Sequence, residues 1–183
     1  MLSCTTRFSA RLLGTARRSL AARGAAAAVH TEAKIAELGY TLPEVNPPKG
    51  AYVLCTRSGD GKTVYTAGHL PQPADGELVT GKVGADLTRE EGHAAAEYAA
   101  LSLLATLKAE IGDLDKITRI VKVVGFVNCT DGFSEQPLVI NGASNLFGAV
   151  LGDRGVHARS AVGTNALPLN VAVEVEAVVE VEA

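Results

Sequence analysis

The clearest pattern in the sequence is an alternation of apolar and polar residues near its C-terminal end. From Val171 to Glu182 every second residue is valine or alanine, and most of the residues between them are glutamate. A period of two is typical of a β-strand with one buried and one solvated face. The alternation predicts a strand over 171–182 whose valines enter the core and whose Glu174 and Glu176 do not.

A helical period predicts a long helix in the middle of the chain. Thr88 and Glu91 have the spacing of a capping box, which predicts the N-terminus, and Gly112 predicts the end. Between them one apolar stripe recurs at helical spacing: Ala96, Ala100, Leu103, Leu104, Leu107 and Ile111. A second helix is predicted over about 133–151, between a Thr-Asp-Gly turn and Gly152.

The remaining apolar runs predict the other strands. Runs at 51–56 and 63–67 flank a Ser-Gly-Asp-Gly turn, which indicates a hairpin. The run 116–128 is apolar on both faces, and 158–162 is a short strand. The order ββαβαββ predicts an α+β fold with two helices on one face of a mainly antiparallel sheet. The other face would need a partner, and self-association in closed symmetry is the expected one.

Residues 1–31 differ from the rest of the chain. They contain five arginines, several hydroxyl residues and an alanine run, and no acidic residue precedes Glu32. This composition is typical of a cleaved organelle transit peptide, and we expect import into the mitochondrial matrix. The alternative is a disordered basic arm for nucleic acid or anionic lipid. The apolar runs are too short and too interrupted by arginine to predict a membrane span.

The composition of residues 32–183 limits the domain organisation, the binding partners and the metal sites that can be expected. Residues 32–50 predict a short helical turn and a proline-containing extended arm, and 51–183 predict a single domain. Five of the 17 basic residues lie in the leader, which leaves 12 against 20 acidic residues. An excess of acid argues against a nucleic-acid partner. Cys55 and Cys129 fit reduced thiols, although they could also pair, and the histidines show no metal-ligand spacing, so no metal site is expected.

Arg159 and Glu174 are the first candidate site residues. If 158–162 and 171–182 formed a hairpin centred between Ala166 and Leu167, Arg159 would lie opposite Glu174 on the polar face. An arginine held by a carboxylate could present a planar fork to the carboxylate of a substrate. The alternative is a surface ion pair without further function.

Several segments together resemble the Rid (YjgF, reactive intermediate deaminase) family. The C-terminal signature of that family is Ala-Arg-Ser, followed by Leu-Pro and by Val-Glu-hydrophobic-Glu. This chain has a similar series in the run from His157 to Val162, in Leu167-Pro168 and in the Val-Glu-Val-Glu-Ala segment 173–177. The segment 66–71 resembles its Ser-Gly-Gln-hydrophobic-Pro segment. Tyr52 and Asn141 fall where the family has tyrosine and asparagine. The resemblance covers residues 45–183.

This resemblance implies a chorismate-mutase-like fold and a homotrimer with clefts between subunits. It also implies hydrolysis of reactive enamines and imines such as 2-iminopropanoate to 2-oxo acids and ammonia. Arg159 would bind the substrate carboxylate and Glu174 would orient or activate water. Tyr52 and Asn141 would line the cleft, and Gly68 would let backbone amides approach the ligand. No cofactor is required, because an iminium carbon is already electrophilic.

Two departures from the family pattern point to a divergent subgroup. Ala161 stands where cysteine is frequent, and Ala67 stands where serine is frequent. The activity could therefore differ or be lost. The alternatives are a non-catalytic trimer that binds small carboxylates, a structural subunit of a larger mitochondrial assembly, and a ribonuclease, against which the acidic composition counts.

Overall fold

The computed structural model describes residues 30–182, so the predicted leader lies almost wholly outside the described residues. The helices are α1 (Thr31–Glu37), α2 (Arg89–Ile111) and α3 (Gln136–Leu151). The strands are β1 (Cys55–Arg57), β2 (Thr63–Thr66), β3 (Ile117–Asn128), β4 (Ala158–Thr164) and β5 (Val173–Val181). Helices α2 and α3 pack on one face of the single sheet, which confirms the predicted α+β fold.

Helix α2 has the boundaries and the buried stripe that the sequence predicts. The backbone N–H of Glu91 donates to Thr88 Oγ1 at 3.1 Å, and the backbone N–H of Thr88 donates to Glu91 Oε2 at 2.7 Å. These two bonds complete the capping box. Gly112 ends the helix with φ of 82°, a conformation that favours glycine. All six apolar stripe residues are buried.

The order of strands in the sheet is β1-β2-β5-β3-β4. All neighbours are antiparallel except β3 and β4, which are parallel and are connected through α3. The predicted hairpin between 158–162 and 171–182 is therefore wrong, because β3 lies between β4 and β5.

The connection from β4 to β5 explains this order. It crosses the end of β3 through Leu169 and Asn170, whose φ angles of 58° and 54° reverse the chain. The side-chain amide of Asn128, the last residue of β3, donates to Asn170 Oδ1 and to the carbonyl of Val171 at 3.2 Å each. These bonds fix the crossing, so β5 enters the sheet between β2 and β3.

Strand β5 shows the predicted alternation. Val173 and Val175 are fully buried under the helices, whereas Glu174 and Glu176 are partly exposed on the opposite face. On the helix side Gly125 of β3 lets α3 approach closely, since a Cβ there would lie 2.6 Å from Ile140. The predicted register of β5 relative to the core is confirmed.

The second face of the sheet has no covering layer among residues 30–182. Tyr65 and Val162 are 48% and 46% exposed on it, and glutamates of β5 flank them. Self-association through this face remains a prediction. None of the described helices has the length and apolar character needed to cross a membrane.

Candidate functional site

Arg159 lies at the edge of the sheet and points toward α3. Its register partner on β3 is Val123, which faces the helices, so Arg159 lies on the helix side. Nη1 donates to Asn141 Oδ1 and to Ser144 Oγ at 2.9 Å each, and Nη2 donates to the carbonyl of Pro137 at 3.1 Å. The structure thus brings together two of the predicted site residues, Arg159 and Asn141.

Arg159 and Glu174, predicted to be paired, lie on opposite faces of the sheet. Glu174 pairs with Phe126 in register and Arg159 pairs with Val123. Positions three apart on one strand project to opposite faces. The strands β4 and β5 are also separated by two interstrand spacings, or roughly 10 Å. The prediction failed because alternation specifies a face of a strand but not the neighbouring strand.

The guanidinium of Arg159 keeps donor groups for a ligand. Of its five N–H groups, three donate to α3. The Nε–H and one N–H of Nη2 have no acceptor in residues 30–182, and no carboxylate there forms an ion pair with Arg159. A planar cation held by neutral acceptors, with two N–H groups free, is suited to binding a carboxylate.

Glu174 lies directly over Gly68 on the uncovered face. A Cβ at position 68 would lie 1.7 Å from Glu174 Oε1, so glycine is what allows the carboxylate this position. The carboxyl group is half-buried, and burial, assisted by the neighbouring Glu176, raises its pKa. A carboxyl with a raised pKa exchanges protons closer to neutral pH, as a general acid or base requires.

A cavity of about 110 Å³ adjoins Gly68 between the extended arm, residues 44–49, and helix α2. Tyr52, 49% exposed, lines it. The buried His69 also lines the cavity, with Nδ1 2.8 Å from the carbonyl of Ala67 and Nε2 2.8 Å from Thr106 Oγ1. Burial lowers the pKa of His69 to about 4, so its ring is neutral at physiological pH.

The predicted site residues therefore form two groups. Gly68 lies beside the Glu174 carboxylate and also lines the cavity of Tyr52, which Glu174 does not line, whereas Asn141 and Arg159 lie at the β4 edge. Within one chain these groups do not meet. A site that uses both needs a second copy of the chain.

The structure adds Ser144 and His157 to the Arg159 group, and sequence reasoning missed both. Ser144 Oγ lies 3.0 Å from His157 Nε2, and His157 Nδ1 lies 2.6 Å from the carbonyl of Gly155. A signal was present in the sequence. Asn141 and Ser144 are three apart on a helix and therefore share a face, and His157 directly precedes β4, two residues before Arg159.

One cluster of described side chains has the spacing of a cation site. Carboxylate oxygens of Glu32, Asp113 and Asp115 lie close together. Asp115 accepts hydrogen bonds from the backbone N–H and the hydroxyl of Thr31 and lies 3.8 Å from Arg154. These contacts attach α1 to the domain, which is a structural role.

A family model described as "YjgF/chorismate mutase-like, putative endoribonuclease" matches residues 32–181. Protein TCP17 of Trypanosoma cruzi is 44% identical over 149 residues, which are 81% of this chain and 92% of TCP17. The crystal structure of Atu1372 from Agrobacterium tumefaciens, a protein of unknown function, is 45% identical with a TM-score of 0.76, over 84% of this chain and 94% of that one.

The fold also resembles that of more distant proteins. Escherichia coli TdcF, whose crystal structure contains bound serine, has a TM-score of 0.53 at 21% identity, over 76% of this chain and 94% of that one. At this identity the likeness concerns the fold. The family match includes the extended arm and helix α1 as well as the sheet domain.

Proposed function

Because the chain belongs to the YjgF/chorismate mutase-like family, we propose that it hydrolyses reactive imines and enamines of small 2-oxo acids. The products are the 2-oxo acid and ammonia. The observation that carries the proposal is the geometry of Arg159, whose guanidinium is held by three acceptors of α3 and keeps two N–H groups for a substrate carboxylate. Serine bound to TdcF is a small ligand with a carboxylate, which is consistent with this substrate class.

The reaction needs few groups beyond this carboxylate clamp. Water adds to the electrophilic imine carbon, and the resulting aminoalcohol loses ammonia to give the 2-oxo acid. Glu174, whose pKa is raised by burial and by Glu176, would take a proton from the water and return it to the departing nitrogen. Tyr52, Gly68 and Asn141 would line the bound substrate.

The two groups of site residues would meet between copies of the chain. A small imino acid cannot reach Arg159 and Glu174 of the same chain, because they lie on opposite faces of the sheet. The uncovered face, with Tyr65 and Val162 exposed, supports association. We propose the homotrimer that the family resemblance implies. Light scattering should give three times the mass of the mature chain, and a stable monomer at micromolar concentration would contradict the interface-built site.

A direct assay tests the activity. An L-amino-acid oxidase generates the imine continuously, and the rate of 2-oxo acid release is compared with and without the protein. We expect release above the spontaneous rate. The matched control is Arg57→Lys, which should keep the activity. Arg57 lies on β1 and forms an ion pair with Glu110 of α2. No acceleration by folded, assembled wild-type protein would reject the proposal.

A binding module without catalysis is the second candidate. The observation that favours it is that Ala67 and Ala161 replace polar residues of the family while Arg159 remains in place. Such a module would bind 2-oxobutanoate without accelerating imine hydrolysis, and it could act within a larger mitochondrial assembly. Calorimetric titration beside the activity assay separates the two functions.

We also propose import into the mitochondrial matrix with removal of the leader. Thr31 is fully buried, and its backbone N–H donates to Asp115 Oδ1 at 2.9 Å. Removal of Thr31 would take two hydrogen bonds from this carboxylate, so we place the cleavage no later than the bond between His30 and Thr31, one residue before the end of the predicted leader 1–31. N-terminal sequencing of protein from isolated mitochondria tests this, and an intact Met1 would contradict it.

A further inference from the structure

Ser144 and His157 form a pair with the geometry of an activated nucleophile. Ser144 Oγ lies 3.0 Å from His157 Nε2. His157 Nδ1 lies 2.6 Å from the carbonyl of Gly155, an acceptor, so the proton of the neutral ring is on Nδ1. Nε2 is then the acceptor, and the Ser144 hydroxyl donates to it. This is the arrangement in which a histidine removes the proton of a serine.

The hydroxyl of Ser144 does not follow the usual behaviour of a serine within a helix. Ser102 of α2 shows that behaviour, since its hydroxyl donates to the carbonyl of Tyr98, four residues back, at 3.1 Å. Ser144 is directed across to β4 instead. The T-shaped contact between the rings of Phe147 and His157, with centroids 5.9 Å apart, holds the imidazole in place.

Arg159 favours formation of the serine alkoxide. Its Nη1 donates to Ser144 Oγ at 2.9 Å, so a full positive charge faces the oxygen that would become negative. Burial, and then the charge of Arg159, lower the pKa of His157, although the carbonyl of Gly155 opposes this. The ring is therefore neutral at physiological pH and able to accept a proton.

The pair is accessible from an open groove. The groove has a volume of about 330 Å³ and lies between α3 and the start of β4. Gly148, one helical turn after Ser144 on the same face, has no packed neighbour among residues 30–182 within 4 Å of the position a Cβ would take, so the groove is open on that side within one chain. Val156, 70% exposed, forms an apolar rim.

We propose that Ser144 is a nucleophile for acyl transfer, with His157 as its general base, and that small esters bearing a free carboxylate are the substrates. Ser144 Oγ forms a bond to the acyl carbon while its proton passes to His157 Nε2. The bond from the acyl carbon to the leaving oxygen then breaks, and that oxygen takes the proton from Nε2. Water hydrolyses the acyl-serine by the same sequence, which releases the acid and restores the hydroxyl.

The free N–H groups of Arg159 define the substrate class. They can bind a carboxylate on the acyl chain, so an ester of a dicarboxylic acid fits better than a neutral ester. The side-chain amide of Asn141 adds donors beside the reacting carbonyl, where negative charge develops. This activity shares Arg159 and Asn141 with the proposed imine hydrolysis, but it uses neither Glu174 nor the cavity at Tyr52, so it does not require the imine reaction.

The experiment uses the full folded chain, a fluorophosphonate probe and two substrates, mono-4-nitrophenyl succinate and 4-nitrophenyl acetate. We expect one covalent adduct per chain, located on Ser144 by peptide mass mapping, and faster release of nitrophenol from the succinate ester. Ser144→Ala should abolish both. His157→Gln should slow both by about a hundredfold, the scale of general-base catalysis. Arg159→Gln should remove the preference for succinate.

Ser160→Ala is the matched control. Ser160 is a half-buried serine of β4 that lies on the opposite face of the sheet from Arg159, where it accepts a hydrogen bond from Lys122. It should keep the adduct. Absence of an adduct on folded wild-type protein, or an adduct that persists in Ser144→Ala, would overturn the proposal. Imine hydrolysis measured on the same samples reports separately on the proposed function.

Discussion

Lowering the pH from 7.5 to 5 should destabilise the fold through His69. Burial lowers the pKa of this histidine from 6.5 to about 4. A lowered histidine pKa means that the unfolded chain binds the proton more readily, so stability is present above pH 6.5 and is lost as the pH falls. From these two pKa values the loss is about 2 kcal/mol at pH 5, and about 3 kcal/mol once the pH is below 4.

The assay is urea unfolding at a fixed protein concentration at pH 7.5, 6.5, 5.5 and 5, for the wild type and His69→Gln. Glutamine can donate to the carbonyl of Ala67 and accept from Thr106 without titrating. The free energy of unfolding of His69→Gln should therefore fall less than that of the wild type as the pH is lowered. His93→Gln is the control, because this partly exposed ring lies on the surface of α2. If wild type and His69→Gln lost stability in parallel, the reasoning about His69 would be refuted.

Four further substitutions test the packing and the site. Gly142→Ala should lower the free energy of unfolding in urea by roughly 1–3 kcal/mol, because its Cβ would lie 2.0 Å from a backbone oxygen of α2. Gly148→Ala has open space and should raise the free energy of unfolding by up to about 1 kcal/mol. Thr88→Ala should cost about 1 kcal/mol through loss of the capping box, and an unchanged urea midpoint would contradict that role. Gly68→Ala should displace the Glu174 carboxylate and slow imine hydrolysis, with the activity assay as the measurement.

Elements with strong local patterns could be predicted from the sequence. The capping residues and apolar stripe of α2 gave boundaries that match the structure, and the alternation in β5 gave the buried face correctly. The sequence predicts strand β1 over 51–56, but the strand is limited to Cys55–Arg57, because the chain bends within residues 51–54. This segment between the arm and β1 carries Tyr52, which lines the cavity beside Gly68.

The arrangement of the site could not be predicted, because it depends on the neighbours of each strand. Alternation placed Glu174 on the uncovered face, but nothing in the spacing of 158–182 indicates that β3 lies between β4 and β5. Arg159 was therefore assigned to the wrong face. The hydrogen-bond partners of Arg159 lie on α3 and include Ser144. This contact depends on how α3 packs beside β4, which no local sequence pattern indicates.

The most direct test of the proposed function is Arg159→Lys, with imine hydrolysis and thermal melting measured side by side. Lysine keeps the charge but loses the planar fork that holds both α3 and a substrate carboxylate. We predict that kcat/KM falls by an amount equivalent to roughly 1–3 kcal/mol, or about five- to 150-fold, while the assembly persists. Unchanged turnover in Arg159→Lys, or no turnover in either protein, would contradict the proposal that Arg159 binds the carboxylate of an imine substrate.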